Sequence, residues 1–229
     1  MALSDCYENL NIVMLDAHFD IAKYQNTNSV NRIVGSSTED NCLGNSSAKG
    51  LERVHFYECG NFISYLLGNN LIKPQNLWVL GVQDEILKER NLESHSNTKC
   101  FQAKEYQKWV KKGVHLLTKA DLVSKNFRLD FNGPIYLSID MDVGSLASVF
   151  SARFMNCIGI TYKEFLKTLK KLSGFLRNSN YPLVGLDVME IDIHFLNACS
   201  ASRFNDRTKT LVKCIFQTFS KDLESSNKN

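Results

Sequence analysis

The chain has 229 residues, of which 44% are hydrophobic and 22% charged, and such a chain is typical of one compact domain with a sizeable core. Its formal net charge is only +3, and no basic run exceeds two residues, which argues against nucleic-acid binding. No apolar run approaches the roughly 18 residues of a membrane span, and four acidic residues among the first twenty argue against a signal peptide. Seven scattered cysteines without a Cys-x-x-Cys pair indicate free thiols in a reducing cytoplasm.

The first predicted strand is the apolar run at residues 12–15. Asp16, His18 and Asp20 follow it at alternate positions. Because a strand has a period of two, these three side chains are expected to share one face. They are three potential ligands for a metal ion.

Residues 21–52 are rich in Asn, Ser, Gly and Thr and lack strong periodicity. A segment of this length inside a compact domain is either functional or poorly ordered, and its position directly after the first acidic motif favours a loop on the substrate side. His55, Glu58 and Asn61 come next and are candidates for proton transfer or substrate contact, although His55 is equally well explained as an ordinary surface or core-edge histidine. An apolar helix then ends near Gly68.

Two elements are predicted between residues 77 and 123. Residues 77–82 have the pattern of a buried strand. Residues 106–123 are expected to form one helix, which would include His115 without any ligand role. The apolar residues expected to face the core from this helix are Trp109, Val110, Val114, Leu117 and Leu122.

A second strand pattern, at residues 134–142, ends in Asp140 and Asp142. Functional groups in α/β sheets gather at the carboxyl ends of strands, so both acidic motifs are expected to meet. Taken alone, Asp-x-Asp after a strand is usually a cap or a turn. Two such motifs, each following an apolar strand, instead favour a site for one or two divalent cations, because clustered buried carboxylates need partners.

The last third of the chain continues the alternation of helices and strands. Residues 143–158 are expected to form a loop able to contact substrate, and Thr161 and Glu164 form a capping box that starts a helix. A strand at 182–191 carries Glu190, and an amphipathic helix follows at about 205–223, before a tail at 224–229 that is expected to fray. The whole chain, 1–229, is therefore predicted to be a single-domain three-layer α/β/α fold with a mostly parallel sheet. The apolar residues expected to face the core from the two helices are Phe165, Leu169, Leu172, Leu176, Leu211, Ile215 and Phe219.

The two acidic motifs, Asp-Ala-His-x-Asp at 16–20 and Ser-x-Asp-x-Asp at 138–142, resemble those of the ureohydrolase superfamily of arginases and agmatinases. Gly-Ile-Thr-x-x-Glu at 159–164 and Val-Met-Glu-Ile at 188–191 are similar to later motifs of the same superfamily. The short chain and its Gly-Asn-Phe-Ile at 60–63 resemble the compact branch that includes peptide arginases. The resemblance implies an arginase/deacetylase-like fold.

The resemblance also implies a metal site with two Mn²⁺ ions. Asp16 and Asp140 would bridge the ions, His18 and Asp142 would complete one site, and Asp20 would serve the other. Members of the superfamily have a further histidine upstream of the first motif, but none of the residues before Asp16 is histidine. The second ion is therefore expected to bind weakly, unless another side chain replaces the missing ligand; His55, His194 and Glu58 are the candidates.

The chemistry expected of such a site is hydrolysis of a guanidinium group. Two cations that share a water lower its pKa, and the resulting hydroxide attacks the guanidinium carbon. Glu190 is the candidate that binds the guanidinium, because this pairing is planar and bidentate; the alternative is a strand-end carboxylate that faces solvent. His55 or Glu58 would protonate the leaving amine, and Asn61 would contact the substrate.

The function that the resemblance implies is conversion of arginine side chains in a ribosomal precursor peptide to ornithine, with release of urea. Three alternatives are a small-molecule ureohydrolase acting on free arginine or agmatine, a zinc deacetylase-like amide hydrolase, and a noncatalytic peptide-binding member. The expected partner is the precursor peptide, not nucleic acid or a membrane. A homo-oligomer is compatible with the superfamily, whose members commonly form trimers or hexamers.

Overall fold

A sheet of five parallel strands forms the centre of the computed structural model, which describes residues 6–18, 62–82, 106–124, 127–152, 158–200 and 206–226. The spatial order is β3-β2-β1-β4-β5, and every pair of neighbouring strands is parallel. The predicted α/β fold with a mostly parallel sheet is thus confirmed. The strands are β1 (Asn11–Leu15), β2 (Leu77–Val82), β3 (His115–Thr118), β4 (Ile135–Asp140) and β5 (Leu183–Met189).

The order of the strands reverses beside β1. From β1 the chain adds β2 and β3 on one side and then returns to add β4 and β5 on the other. In open α/β sheets such a switch point leaves a crevice at the carboxyl ends of the two central strands, and ligands bind there. The topology therefore assigns the ends of β1 and β4 as the place for a site.

Helices cover both faces of the sheet, as the three-layer prediction requires. The helices are α1 (Phe62–Gly68), α2 (described part 106–111), α3 (Lys119–Val123), α4 (Tyr162–Asn178), α5 (Ile193–Ser200) and α6 (Thr208–Ser226), with 3-10 turns at Pro74–Asn76 and Met141–Val143. On one face, α4 and α6 pack on the alternate strand residues Val13, Leu15, Leu137 and Ile139. On the other face, α1 and α2 pack on Met14, Leu77 and Val79.

The two long helices confirm the apolar spacing read from the sequence. The predicted capping box of α4 is present, since Thr161 Oγ1 accepts from the Glu164 N–H while the Glu164 carboxylate accepts from the Thr161 N–H. α6 reaches Ser226, inside the tail expected to fray. No helix of the described residues is both long and apolar enough to cross a membrane. The residues that these helices bury are Phe165, Leu169, Leu172, Leu176, Leu211, Ile215 and Phe219.

The prediction of a single helix over residues 106–123 is wrong. The helix ends in a Schellman motif, in which the Val114 N–H donates to Trp109 O and the Gly113 N–H to Val110 O. Gly113 has a φ of +109°, a conformation that glycine adopts without a steric penalty. The chain then enters β3, which pairs with β2, before a Thr118 capping box starts α3. Pairing with an existing sheet edge thus overrides the helical spacing of the apolar residues.

Because residues 115–118 form a strand, the side chains of this region do not share the predicted helix face. Val110 is 46% exposed, not in the core, and Leu117 lies on β3. His115 also lies on β3, where its ring stacks on Trp78 with a centroid distance of 3.7 Å. Its Nε2 lies 3.1 Å from Gln75 O. The expectation that His115 has no ligand role is consistent with these contacts.

Candidate metal centre

The first two acidic residues are brought together by strand pairing. Leu15 of β1 is paired with Ile139 of β4, so Asp16 and Asp140 follow side by side at the carboxyl edge of the sheet. The Asp16 N–H donates to Leu80 O at 2.9 Å, which extends the ladder with β2 by one residue. Asp16 is 2% exposed and Asp140 is 8% exposed. Both carboxylates are therefore held in the interior by the backbone of the central strands.

Each strand ends in a similar local turn. Asp16 Oδ1 accepts a hydrogen bond from the His18 N–H at 2.6 Å, and Asp140 Oδ1 accepts from the Asp142 N–H at 2.9 Å. An aspartate that accepts from the backbone two residues on stabilises a tight turn. The turn sets the backbone position of the second ligand in each motif. The predicted strand period is therefore wrong for His18 and Asp142, because β1 ends at Leu15 and β4 at Asp140, and the spacing i, i+2 is that of two equivalent turns.

His18 and Asp142 join the two motifs. His18 Nδ1 lies 2.8 Å from Asp142 Oδ2 and 3.7 Å from Asp16 Oδ1. One ligand atom from each of Asp16, His18 and Asp142 can be chosen so that the three lie within 4.8 Å of one another. The His18 side chain is 46% exposed, whereas the carboxylates of Asp16 and Asp142 are buried. The imidazole therefore forms the solvent side of the cluster.

The electrostatics of the cluster favour a bound cation. Burial raises the pKa of Asp140 to about 9, and the negative charges of Asp142, Asp16 and Glu190 act in the same direction. Only the backbone N–H of Asp142 opposes the shift. A divalent cation would offset both the desolvation and the mutual repulsion of these groups. Carboxylate oxygen with imidazole nitrogen suits Mn²⁺ or Zn²⁺, so the residues present fit a metal site.

Glu190 lies at the end of β5, beside this cluster. Its φ is +59°, a left-handed conformation that a residue with a long side chain rarely adopts. Its Oε2 is buried and accepts no hydrogen bond from the described residues. The next residue, Ile191, forms a bridge with Ala152, and this fixes the chain on the other side of Glu190. Strain and an open buried acceptor at one residue are typical of a functional position.

The described structure accounts for some of the predicted site residues. Asp16, His18 and Asp142 are brought together, and Asp16, Asp142 and Glu190 lie close enough to Asp140 for their negative charges to raise its pKa. His194 is exposed on α5, a helix that the sequence analysis did not predict although Asp192 accepts from the Phe195 N–H at 2.8 Å as its cap. Four predicted residues lie outside the described residues and stay predictions: Asp20, His55, Glu58 and Asn61.

A polar cluster next to the site was missed in the sequence. Tyr136 Oη donates to Asp187 Oδ2 at 2.5 Å, and Ser138 Oγ donates to Asp187 Oδ1 at 2.7 Å. Tyr136 and Ser138 stand at alternate positions before Asp140, so the strand period alone places all three on one face. The alternation of polar residues in β4 was visible in the sequence. Asp187 could be recognised as their partner only once the register of β5 on β4 was known.

The fold and the cluster at its switch point define an α/β protein with a centre suited to divalent cations. The model of the Arginase family matches residues 1–204, and the chain belongs to this family. The superfamily resemblance read from the two acidic motifs is thereby confirmed. No curated protein matches the chain at a significant level.

Solved structures of ureohydrolases share the fold. Formimidoylglutamase from Bacillus subtilis is 18% identical, with a TM-score of 0.53 over 95% of this chain and 54% of its own. Arginase from Bacillus cereus is 14% identical, with a TM-score of 0.55 over 94% and 64%. Formiminoglutamase from Trypanosoma cruzi, crystallised with Mn²⁺, is 13% identical, with a TM-score of 0.56 over 93% and 56%. The chain thus spans between about half and two thirds of the length of each of these structures.

Proposed function

We propose that this protein is a metal-dependent amidinohydrolase that cleaves the guanidinium group of arginine side chains in a peptide, yielding ornithine and urea. The observation that carries the proposal is the open, buried Oε2 of Glu190 beside the acidic cluster. A guanidinium presents a planar fork of N–H donors and a positive charge. A buried carboxylate with an open acceptor next to a metal centre is a suitable receptor for it.

The residues that would hold the metal are Asp16, His18, Asp140 and Asp142, with Asp20 as the further predicted ligand. A divalent cation bound there would supply Lewis acidity and would lower the pKa of a water molecule. Mn²⁺ is the proposed metal because the donor set suits it and because the Trypanosoma cruzi formiminoglutamase was crystallised with it. The missing upstream histidine leaves the second ion with fewer protein ligands, and we expect it to bind more weakly.

The chain's own residues supply binding and orientation. Glu190 would receive two N–H groups of the guanidinium and hold its planar carbon towards the carboxylate cluster. The surrounding burial strengthens this ion pair, because few waters compete for it. Cleavage of the carbon–nitrogen bond also requires a proton for the leaving amine. His55 and Glu58 are the candidates for that proton transfer.

The preference for a peptide rests on two features. The Gly-Asn-Phe-Ile segment and the short chain resemble the peptide arginase branch, and the half-exposed His18 leaves the cluster open on one side. Free arginine or agmatine is the second candidate, because the solved structures with the same fold include an arginase and a putative agmatinase, which are named for small substrates. A cytoplasmic location is proposed as well, and the free thiols of Cys6 and Cys214 support it. A homo-oligomer is compatible with the family.

The test combines metal content with urea release. Protein purified with Mn²⁺ is analysed for metal per chain, with Asp140→Ala beside it, and urea release is measured on an arginine-bearing peptide, on free arginine and on agmatine. We expect up to two Mn per chain, lost in the variant, and the fastest release from the peptide. Preference for free arginine or agmatine would refute the peptide substrate and retain the reaction. Metal-loaded protein that releases urea from no guanidine would refute the reaction itself.

A further inference from the structure

The register of β5 on β4 is set by a bulge at its start. Ile135 is paired with Leu183, but the next residue, Tyr136, is paired with Gly185, so Val184 is an extra residue in β5. From there the ladder continues without a shift to the pair of Asp140 with Met189. Glu190 follows Met189 directly. The bulge therefore decides the position at which Glu190 stands beside the metal ligands of β4.

Two contacts hold the strand in this register. The first is steric: a Cβ on Gly185 would lie 2.5 Å from Cδ2 and Cε2 of Tyr136, so the phenol ring covers the position where any other residue would carry its side chain. The second is polar. The carboxylate of Asp187 accepts from both Tyr136 Oη and Ser138 Oγ. One β5 side chain is thus bonded to two successive β4 side chains on the same face.

The alternative register would disrupt both contacts. Side chains alternate between the faces of a sheet, so a shift of one residue would turn Asp187 towards the apolar face and bring either Val184 or Leu186, depending on its direction, under Tyr136. It would also displace Glu190 by about one residue, or roughly 3.3 Å along the strand. Burial, together with the hydrogen bond to Asp187 and its charge, raises the pKa of Tyr136 to about 12, so its hydroxyl keeps its proton and remains a donor.

We propose that the cluster of Tyr136, Asp187 and Ser138 fixes the register of β5 and thereby positions Glu190 for the guanidinium, with Asp187 as the positioning residue. The proposal rests on the proposed function, because it assigns the substrate-binding role to Glu190. The metal ligands lie at the ends of β1 and β4, outside the strand that the cluster holds. The cluster therefore acts on substrate binding and leaves metal binding unchanged.

The kinetic test compares Asp187→Ala with the conservative Asp187→Asn. An amide can still accept from one hydroxyl and donate to the other, so Asp187→Asn is expected to change KM for the best guanidine substrate by less than about threefold, whereas Asp187→Ala raises it about tenfold. Mn per chain stays at the wild-type value in both. Tyr136→Phe, which removes one donor only, gives an intermediate KM and provides the test if Asp187→Ala does not fold.

Arg177→Met is the control for a general loss of stability, since it breaks the ion pair of Arg177 with Asp222 that joins α4 to α6. We expect this variant to melt at a lower temperature with an unchanged KM. A purely structural role for Asp187 predicts the same behaviour for Asp187→Ala. Unchanged KM in Asp187→Ala, or a loss of Mn that accompanies the rise in KM, would overturn the positioning role.

Amide hydrogen exchange separates this proposal from the proposed function, because it needs no activity. In Asp187→Ala, the amides of residues 185–189 are expected to exchange at least about tenfold faster, while those of β1 keep the wild-type rate. If the wild type releases no urea from any guanidine, the proposed function fails and the exchange result still decides whether the cluster holds β5. Unchanged exchange at residues 185–189 would overturn the role of the cluster.

Discussion

The imidazole of His18 lies 2.8 Å from the carboxylate of Asp142, so a side chain from the end of β1 contacts one from the end of β4. Without a cation this contact is a hydrogen bond that fixes the ring. With a cation, both groups become candidate ligands of the same ion. The contact therefore links the two acidic motifs directly.

Replacement of His18 by Ala is expected to weaken Mn²⁺ binding by a factor of about 100, since loss of a supporting group alone costs 10–100-fold and His18 is a direct ligand candidate. Isothermal titration of metal-free protein with Mn²⁺ measures the change. His115→Ala is the matched control, because His115 lies on β3, where its ring stacks on Trp78 outside the acidic cluster. Equal Mn²⁺ affinity of the His18 variant and the wild type would show that His18 does not bind the metal.

Two substitutions at Glu190 are expected to separate its role in activity from its effect on stability. Glu190→Gln keeps the shape but loses the charge, and urea release should fall about 100-fold at an unchanged melting temperature, as for a buried ion pair that loses one charge. Glu190→Gly removes the strain of the left-handed backbone and should stabilise the fold by about 1 kcal/mol while abolishing activity. Chemical denaturation and urea assays measure both. A less stable Glu190→Gly would contradict the assignment of strain.

Two glycines are expected to respond oppositely to alanine. Gly81, at φ +102°, would place a Cβ 2.6 Å from Val143 Cγ2 and 3.2 Å from Asp16 O, so Gly81→Ala should destabilise the fold by about 1–3 kcal/mol and reduce metal affinity. Gly174 lies in α4 with open space around its Cβ position, so Gly174→Ala should stabilise by about 0.5–1 kcal/mol. Urea denaturation with and without Mn²⁺ tests the pair. If both substitutions changed the free energy of unfolding by similar amounts in the same direction, the tight packing around Gly81 would be contradicted.

The contribution of Asp206 to stability is expected to depend on pH. Burial alone would raise the pKa of Asp206, but hydrogen bonds from Ser151, Thr208 and the Phe150 N–H lower it below the usual value. The folded state thus favours the charged form, and the stabilisation is complete above the unfolded pKa of about 3.9 and lost as pH falls through the lower folded value. Asp206→Asn should cost about 1–2 kcal/mol at pH 7.

Denaturation of the wild type and of the Asp206 variant at a series of pH values measures this difference. The difference in unfolding free energy between the wild type and Asp206→Asn should be constant between pH 7 and pH 5 and should become smaller below about pH 4. Asp121→Asn is the control, because it neutralises the exposed carboxylate that accepts from the Thr118 N–H in the capping box of α3. A gap that widens towards low pH would show the opposite sign for the pKa shift of Asp206.

Much of the fold could be predicted because its signals are local. The helical spacing of Leu211, Ile215 and Phe219 predicts the buried face of α6, and all three are fully buried. The turn at Asp16 and the turn at Asp140 each depend on hydrogen bonds over two residues. Such features can be recognised in the sequence, because each depends on the spacing of a few neighbouring residues. The candidate ligands Asp16, His18, Asp140 and Asp142 were found from this spacing, although it was interpreted as a strand period and not as a turn.

The parts that were missed depend on distant residues. β3 is four residues long and half-buried, and it is a strand because β2 offers it an edge. The bond of Asp187 to Tyr136 spans 51 positions and depends on a bulge that no local pattern reveals. The left-handed backbone at Glu190 likewise contradicts the preference of its residue type. Each of these features is decided by tertiary structure.

The pairing of β1 with β4 also has a consequence for biosynthesis. The Ala17 N–H donates to Asp142 Oδ1 across 125 positions of sequence, so the acidic cluster cannot form until more than half of the chain has left the ribosome. Until then the apolar edge of β1 has no partner on that side, a condition that exposes nascent chains to aggregation. Assembly of the acidic cluster is thus a late step of folding, which requires that the two central strands have already paired.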